Sequence, residues 1–172
     1  MSDALQELLD KQAITEVIYR YSRGLDRMDK EMAYRVWHED GTADYDAIFE
    51  GTGHGFVDWV WEAHEPMDAH SHQMTNILIE VDGDGATSET YAIVTLRTKR
   101  APDGSASLIT SRGRYLDRWS RRGGVWAIDH RVHVQDVSST ETIPADRVED
   151  STPRATRDEK DASRGLFSRR NA

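Results

Sequence analysis

The sequence predicts an α+β fold in which helices pack on one face of a curved antiparallel sheet. Three observations predict it. Apolar residues recur at helical spacing through residues 5–64. Four long runs of strand character then fill residues 70–137, separated by Asp-Gly, Pro-Asp-Gly and Arg-Gly-Gly turns. Helices first and a strand meander afterwards is the order of an α+β domain, not of alternating βαβ units.

The elements follow in order. Leu5, Leu8 and Leu9 begin an apolar stripe that continues through Ile14, Val17, Ile18, Tyr21 and Leu25. A first helix therefore reaches Asp26, with Ser2 and Asp3 as N-cap residues and Gly24 weakening its last turn. A second helix is expected over 30–38, burying Met32, Ala33, Val36 and Trp37. A short strand is expected over 42–49 and a third helix over 55–64. Strands follow over 70–81, 86–98, 108–119 and 125–137. Residues 1–137 read as the folded body. Residues 138–172 turn to Thr, Glu, Asp, Arg and Ser, a charged tail that is disordered or packed on a neighbouring subunit.

Composition excludes several classes of function. A net charge of −9 disfavours nucleic acid and anionic membranes, which need a basic face. No cysteine is present, which removes thiolate nucleophiles, disulfides and cysteine zinc sites. The N-terminus has no basic segment followed by an apolar one, and no apolar run has the length of a membrane span. The chain is expected to be soluble and cytoplasmic.

Several residues stand out as candidates for chemistry. Asp26 ends a helix whose neighbours Tyr21 and Leu25 face inward. By strand alternation His70, His72, Met74, Asn76 and Leu78 share one face, a mixture of polar and apolar that suits a pocket wall. His70-x-His72, with His64 nearby, can place two imidazoles on one metal, but three ligands must converge, and no metal site is expected. Trp59, Trp61 and Met74 suggest an apolar aromatic or polycyclic ligand. Tyr19, Tyr91 and Tyr115 are further aromatic candidates. Arg131 and His133 share a face of the last strand, and neither suits a plain apolar core.

Three segments carry a resemblance. Ile14–Asp26 (ITEVIYRYSRGLD) resembles the first helix of SnoaL-like proteins. His72-Gln73-Met74-Thr75-Asn76 is similar to their His-x-x-Thr-Asn strand, and Gly123-Gly124-Val125-Trp126 with His130-Arg131-Val132 to their final hairpin. The resemblance spans about residues 5–137 and implies an NTF2-like (cystatin-like) cone, a form in which several members are trimers. Within the family it points toward the hexachlorocyclohexane dehydrochlorinase, scytalone dehydratase and bile-acid 7α-dehydratase group. It implies an Asp26–His72 catalytic pair, with Tyr21 matching a tyrosine of the bile-acid enzyme. Two departures limit it. Tyr21 stands where the dehydrochlorinase has lysine, and Thr95 and Arg97 stand where scytalone dehydratase has a second histidine.

The resemblance implies a cofactor-independent lyase. His72 would act as general base, oriented by Asp26, and expel water or formaldehyde from an apolar aromatic or polycyclic small molecule. Tyr21 would assist, and Trp59, Met74, Tyr91, Arg131 and His133 would bind substrate. No metal and no cofactor is implied. A ketosteroid-type isomerase, a polyketide cyclase and a non-catalytic binding module are the alternatives.

Overall fold

From Ile14 onward the stripe on the first helix is buried as its spacing predicts. In the computed structural model, which describes residues 3–151, 155–164 and 166, α1 (Asp3–Asp26) buries Ile14, Val17, Ile18, Tyr21 and Leu25. Leu5, Leu8 and Leu9 remain exposed. The expected cap Ser2 lies outside the described residues. Asp10, buried on α1, accepts hydrogen bonds from Arg121 Nη1 at 2.6 Å and Trp126 Nε1 at 3.0 Å, which ties the helix to the last hairpin.

The second helix is shorter than its pattern suggests. α2 (Lys30–Tyr34) closes after five residues, and β1 (Trp37–Asp44) begins where the helix was expected to continue. Val36 and Trp37 are buried as expected, but in extended chain. The reason is tertiary: Ile128 N donates to Val36 O at 2.9 Å, and Trp37 pairs with Ile128. Sheet pairing overrides a weak helical preference here. The strand expected over 42–49 survives only to Asp44. After a turn with Asp46 at φ 52° the chain forms β2 (Glu50–Thr52). Thr52 then caps α3 (Gly53–Ala63), its Oγ1 accepting from Gly55 N at 2.9 Å. Gly53 lies flat on Trp37, where a Cβ would come within 2.3 Å of the indole.

Four long strands complete the fold: β3 (Met67–Asp82), β4 (Gly85–Thr98), β5 (Ala106–Arg122) and β6 (Val125–Ile143). The sheet runs β2-β1-β6-β5-β4-β3. β1 and β6 are parallel and the other neighbours antiparallel, so the sheet is mixed. It is curved and unclosed, with the helices against it. β3, the edge strand, carries a bulge: Met74 pairs with Ala92 and Ile77 with Thr90, leaving Thr75 and Asn76 opposite Tyr91. The bulge corrects the expected face. His70, His72 and Met74 share the inward side with Ile77 and Ile79, while Leu78 is 68% exposed.

β6 continues to Ile143 instead of ending at 137, because its polar residues pair with β5 as far as Ala106–Ile143. Beyond it lie a short 3₁₀ turn (Ala145–Arg147) and the buried Val148. Arg97 and Arg100 donate to the carbonyls of Glu149 and Val148, each at 2.7 Å. The described residues 155–164 lie against the end of α1 and the start of β3: Arg164 bonds Asp29 at 2.8 Å, Arg27 pairs with the buried Asp161 at 3.3 Å, and Arg157 bonds the carbonyls of His64 and Met67. Among the described residues no helix is long and apolar enough to cross a membrane.

Candidate active site

α1 ends against the edge strand, and there Asp26 meets His72. The carboxylate accepts three hydrogen bonds from this one residue. The backbone N of His72 reaches Oδ1 at 3.1 Å and Oδ2 at 2.9 Å, and the ring Nδ1 reaches Oδ1 at 2.6 Å. An ionised carboxylate only accepts, so Nδ1 carries a proton, and in the neutral imidazole Nε2 keeps its lone pair. No described residue bonds Nε2. The His72 side chain is 4% exposed and that of Asp26 15%. An acid at a helix C-terminus opposes the helix dipole; the three bonds hold it there.

A second polar centre fills the interior between α1, β5 and β6. Arg131 and Asp117, both fully buried, form a two-pronged pair, Nε–Oδ1 at 2.7 Å and Nη2–Oδ2 at 2.8 Å. The guanidinium lies 4.2 Å from the ring centres of both Tyr21 and Tyr115. Tyr21 and Tyr45 share a hydrogen bond of 2.8 Å between their hydroxyls. Tyr45 stacks on Phe56 at 4.0 Å and on His133 at 4.9 Å. Burial pushes the hydroxyls of Tyr21, Tyr45 and Tyr115 above the usual range, so these groups act as neutral hydrogen-bonding partners. Burial alone would lower Arg131, but Asp117 holds it well above its ordinary value. Burial, followed by the charge of Arg131, holds His133 below the usual histidine range.

His64 and His70 lie beside the dyad, with ring centres 4.3 Å apart and 6.2 and 6.5 Å from His72. Burial first, then the neighbouring His70, His72 and Arg157, lowers His64 to about 3, and burial first, then Arg157, lowers His70 to about 4. Among the described residues no three His, Asp or Glu side chains form a group that could hold a metal ion.

The structure thus joins Asp26 to His72, and gathers Tyr21, Arg131 and His133 into the second centre. Met74 is partly buried against the core. Trp59 is 37% exposed and stacks on Phe56 at 5.9 Å, at the end of an aromatic row leading to Tyr45. Tyr91 was expected to line the site but stands on the opposite face of the sheet, 42% exposed beneath Arg114. Its neighbours Thr90 and Ala92 take the inward positions. Arg131, expected to bind substrate, is fully buried and pairs its Nε and Nη2 with Asp117, while its Nη1 has no partner among the described residues.

Sequence reasoning missed Tyr45 and Asp117. Asp117 could have been found from its parity with Tyr115 and Trp119 on β5. Tyr45 gave no comparable signal, since it follows the strand in an irregular turn.

Residues 6–132, most of the chain, match the profile of the SnoaL-like domain. The chain belongs to that family. No curated protein matches the SnoaL-like chain. Solved structures do. A candidate scytalone dehydratase from Novosphingobium aromaticivorans is 22% identical, with TM-score 0.68 over 83% of this chain and 97% of its own. A type 2 hexachlorocyclohexane dehydrochlorinase, LinA, is 18% identical, with TM-score 0.70 over 88% and 99%. An NTF2-like protein with a cystatin-like fold, also from N. aromaticivorans, is 23% identical, with TM-score 0.62 over 77% and 86%. The fold of the SnoaL-like chain is therefore the NTF2-like cone.

Proposed function

We propose that the protein is a cofactor-independent lyase that eliminates water, or formaldehyde by C–C cleavage, from an apolar aromatic or polycyclic small molecule. The observation that carries this reading is the 2.6 Å contact between Asp26 and His72 Nδ1. It leaves Nε2 as a base whose tautomer is fixed and whose protonated form is stabilised by the adjacent carboxylate. Nε2 takes a proton from carbon or from a substrate hydroxyl, and the leaving group departs from the adjacent carbon. A positioned base contributes on the order of 10²–10⁴ in rate, so electrostatic stabilisation must supply the rest. The Tyr21–Tyr45 pair is suited to that task, because only one of its two hydroxyl hydrogens is used within the pair. Arg131 acts through Tyr21 and is a positioning residue. Met74 and Trp59 offer apolar surface to the substrate. The dehydratase and dehydrochlorinase among the similar structures support the reaction class.

Product mass tests the reading. Hydroxylated aromatic and steroid-like compounds are incubated with the protein and no added cofactor. A product lighter by water or formaldehyde is expected. Products of unchanged mass would replace the lyase with an isomerase, and no product across the panel would favour a binding module. The same reading carries a homotrimer, for which light scattering should give three times the 19.6 kDa chain mass.

A further inference from the structure

The outer face of the sheet, turned away from the helices, is not the plain polar surface that strand alternation leaves to water. Residues paired across neighbouring strands share a face, so the register reads this surface off in rows. Glu80, Thr87 and Arg118 form one row, and Leu78, Glu89 and Leu116 the next. Tyr91 beside Arg114 and Val137 beside Arg112 follow along the strands. Leu78 is 68% exposed, Val137 55% and Tyr91 42%, an apolar set spread over three successive rows.

The charges on this face are sorted by strand. β3 carries Glu80 and Asp82, and β5 carries Arg112 and Arg118, all exposed. None of these four side chains has an ion-pair or hydrogen-bond partner among the described residues. Arg114, between them, is by contrast paired with Asp136 at 3.0 Å and Glu89 at 3.9 Å. Glu80, Asp82 and Arg118 line one groove of about 510 Å³, and Leu78, Glu80 and Leu116 line a second of about 240 Å³. Two strand spacings separate β3 from β5, roughly 10 Å, too far for the acidic and basic walls to pair within one chain.

A partner of one charge sign would satisfy one wall and oppose the other. A second copy satisfies both, since its basic β5 side fits the acidic β3 side of the first. The chain has a net charge of −9, so copies repel at long range and association needs such local complementarity. The two patches differ, which makes the contact head-to-tail, and head-to-tail contacts can close into rings.

We propose that the outer face of the sheet joins copies of this chain, with Glu80 and Asp82 of one copy set against Arg112 and Arg118 of the next. Leu78, beside the acids, and Val137, beside Arg112, are enclosed by the same contact. The inference rests on the homotrimer reading for the number of copies and names the surface that closes the ring.

Light scattering of the full chain after size exclusion tests this. The wild type is expected at three times the 19.6 kDa chain mass. Glu80→Arg and Arg118→Glu should each weaken assembly by roughly a hundredfold, and the double reversal should return it to within about tenfold of wild type. Leu78 faces water in the separated protomer, so Leu78→Asp should lower the mass to that of one chain with an unchanged far-UV spectrum. Trimers that persist in both single reversals and in Leu78→Asp overturn the proposal and leave the homotrimer reading standing. A monomeric or dimeric wild type overturns both. A double reversal as dissociated as the single ones overturns the proposed pairing, whereas recovery shows that neither single change acts by unfolding the chain.

Discussion

Asp26 accepts three hydrogen bonds from His72, two from its backbone and one from its ring. Asn in its place keeps one acceptor oxygen but adds a donor, so the imidazole no longer has its proton fixed on Nδ1. Asp26→Asn should therefore lower kcat by roughly 10²–10⁴ with little change in KM, as steady-state kinetics on any turned-over substrate would show. Arg131 behaves differently, since its guanidinium is paired with Asp117 and enclosed by Tyr21 and Tyr115. Arg131→Met strands a buried carboxylate and should cost about 3–5 kcal/mol in denaturant unfolding. The double change Arg131→Met with Asp117→Leu should recover most of that loss. Asp26 and His72 were singled out by the family resemblance, Asp26 at the end of the first helix and His72 in the His-x-x-Thr-Asn segment that lies within β3. The pairing of Asp117 with Arg131 was not legible, because the β5–β6 hairpin shifts register between Arg118 and Trp119. Counting back from the turn without that shift places Asp117 opposite His130, and the pair with Arg131 disappears from view.

At the scale of elements, the bulge in β3 decides which side chains reach the core. Strict alternation put Leu78 with the histidines and Ile79 opposite. Two residues facing Tyr91 reverse that order, leaving Leu78 exposed and Ile79 buried. Leu78→Asp should change unfolding free energy by no more than about 0.5 kcal/mol, whereas Ile79→Asp should cost several. Chemical denaturation of both variants checks this, and unbroken alternation predicts the opposite ranking. The long strands and α3 were legible because their periodic segments are long and their turns chemically explicit. The end of α2 and the extent of β6 were not. Both depend on backbone pairing with a distant strand, through Ile128 in one case and β5 in the other.

For the whole molecule, the described C-terminal residues cover the histidine group with their own chain, and stability should register this through pH. His64 and His70 titrate near 3 and 4 in the folded protein against about 6.5 when unfolded. Between those values the unfolded chain binds more protons, so stability falls as pH drops from about 6.5 toward 3 and is complete only above that window. The groups facing them are Arg157 from the C-terminal segment, Asp26 from α1 and His72 from β3. The thermal midpoint should decline across this interval, and replacing both histidines with Gln should flatten the decline. An unchanged slope would mean that neither imidazole is held neutral by the fold.

The most direct test of the central claim compares wild type, His72→Ala and Asp26→Asn in mass-resolved turnover on one panel of hydroxylated aromatic and steroid-like compounds, without added cofactor. Loss of water or formaldehyde by the wild type, abolished in His72→Ala and sharply slowed in Asp26→Asn, is the predicted result. Elimination that proceeds equally well in His72→Ala would contradict the claim that this dyad carries the chemistry.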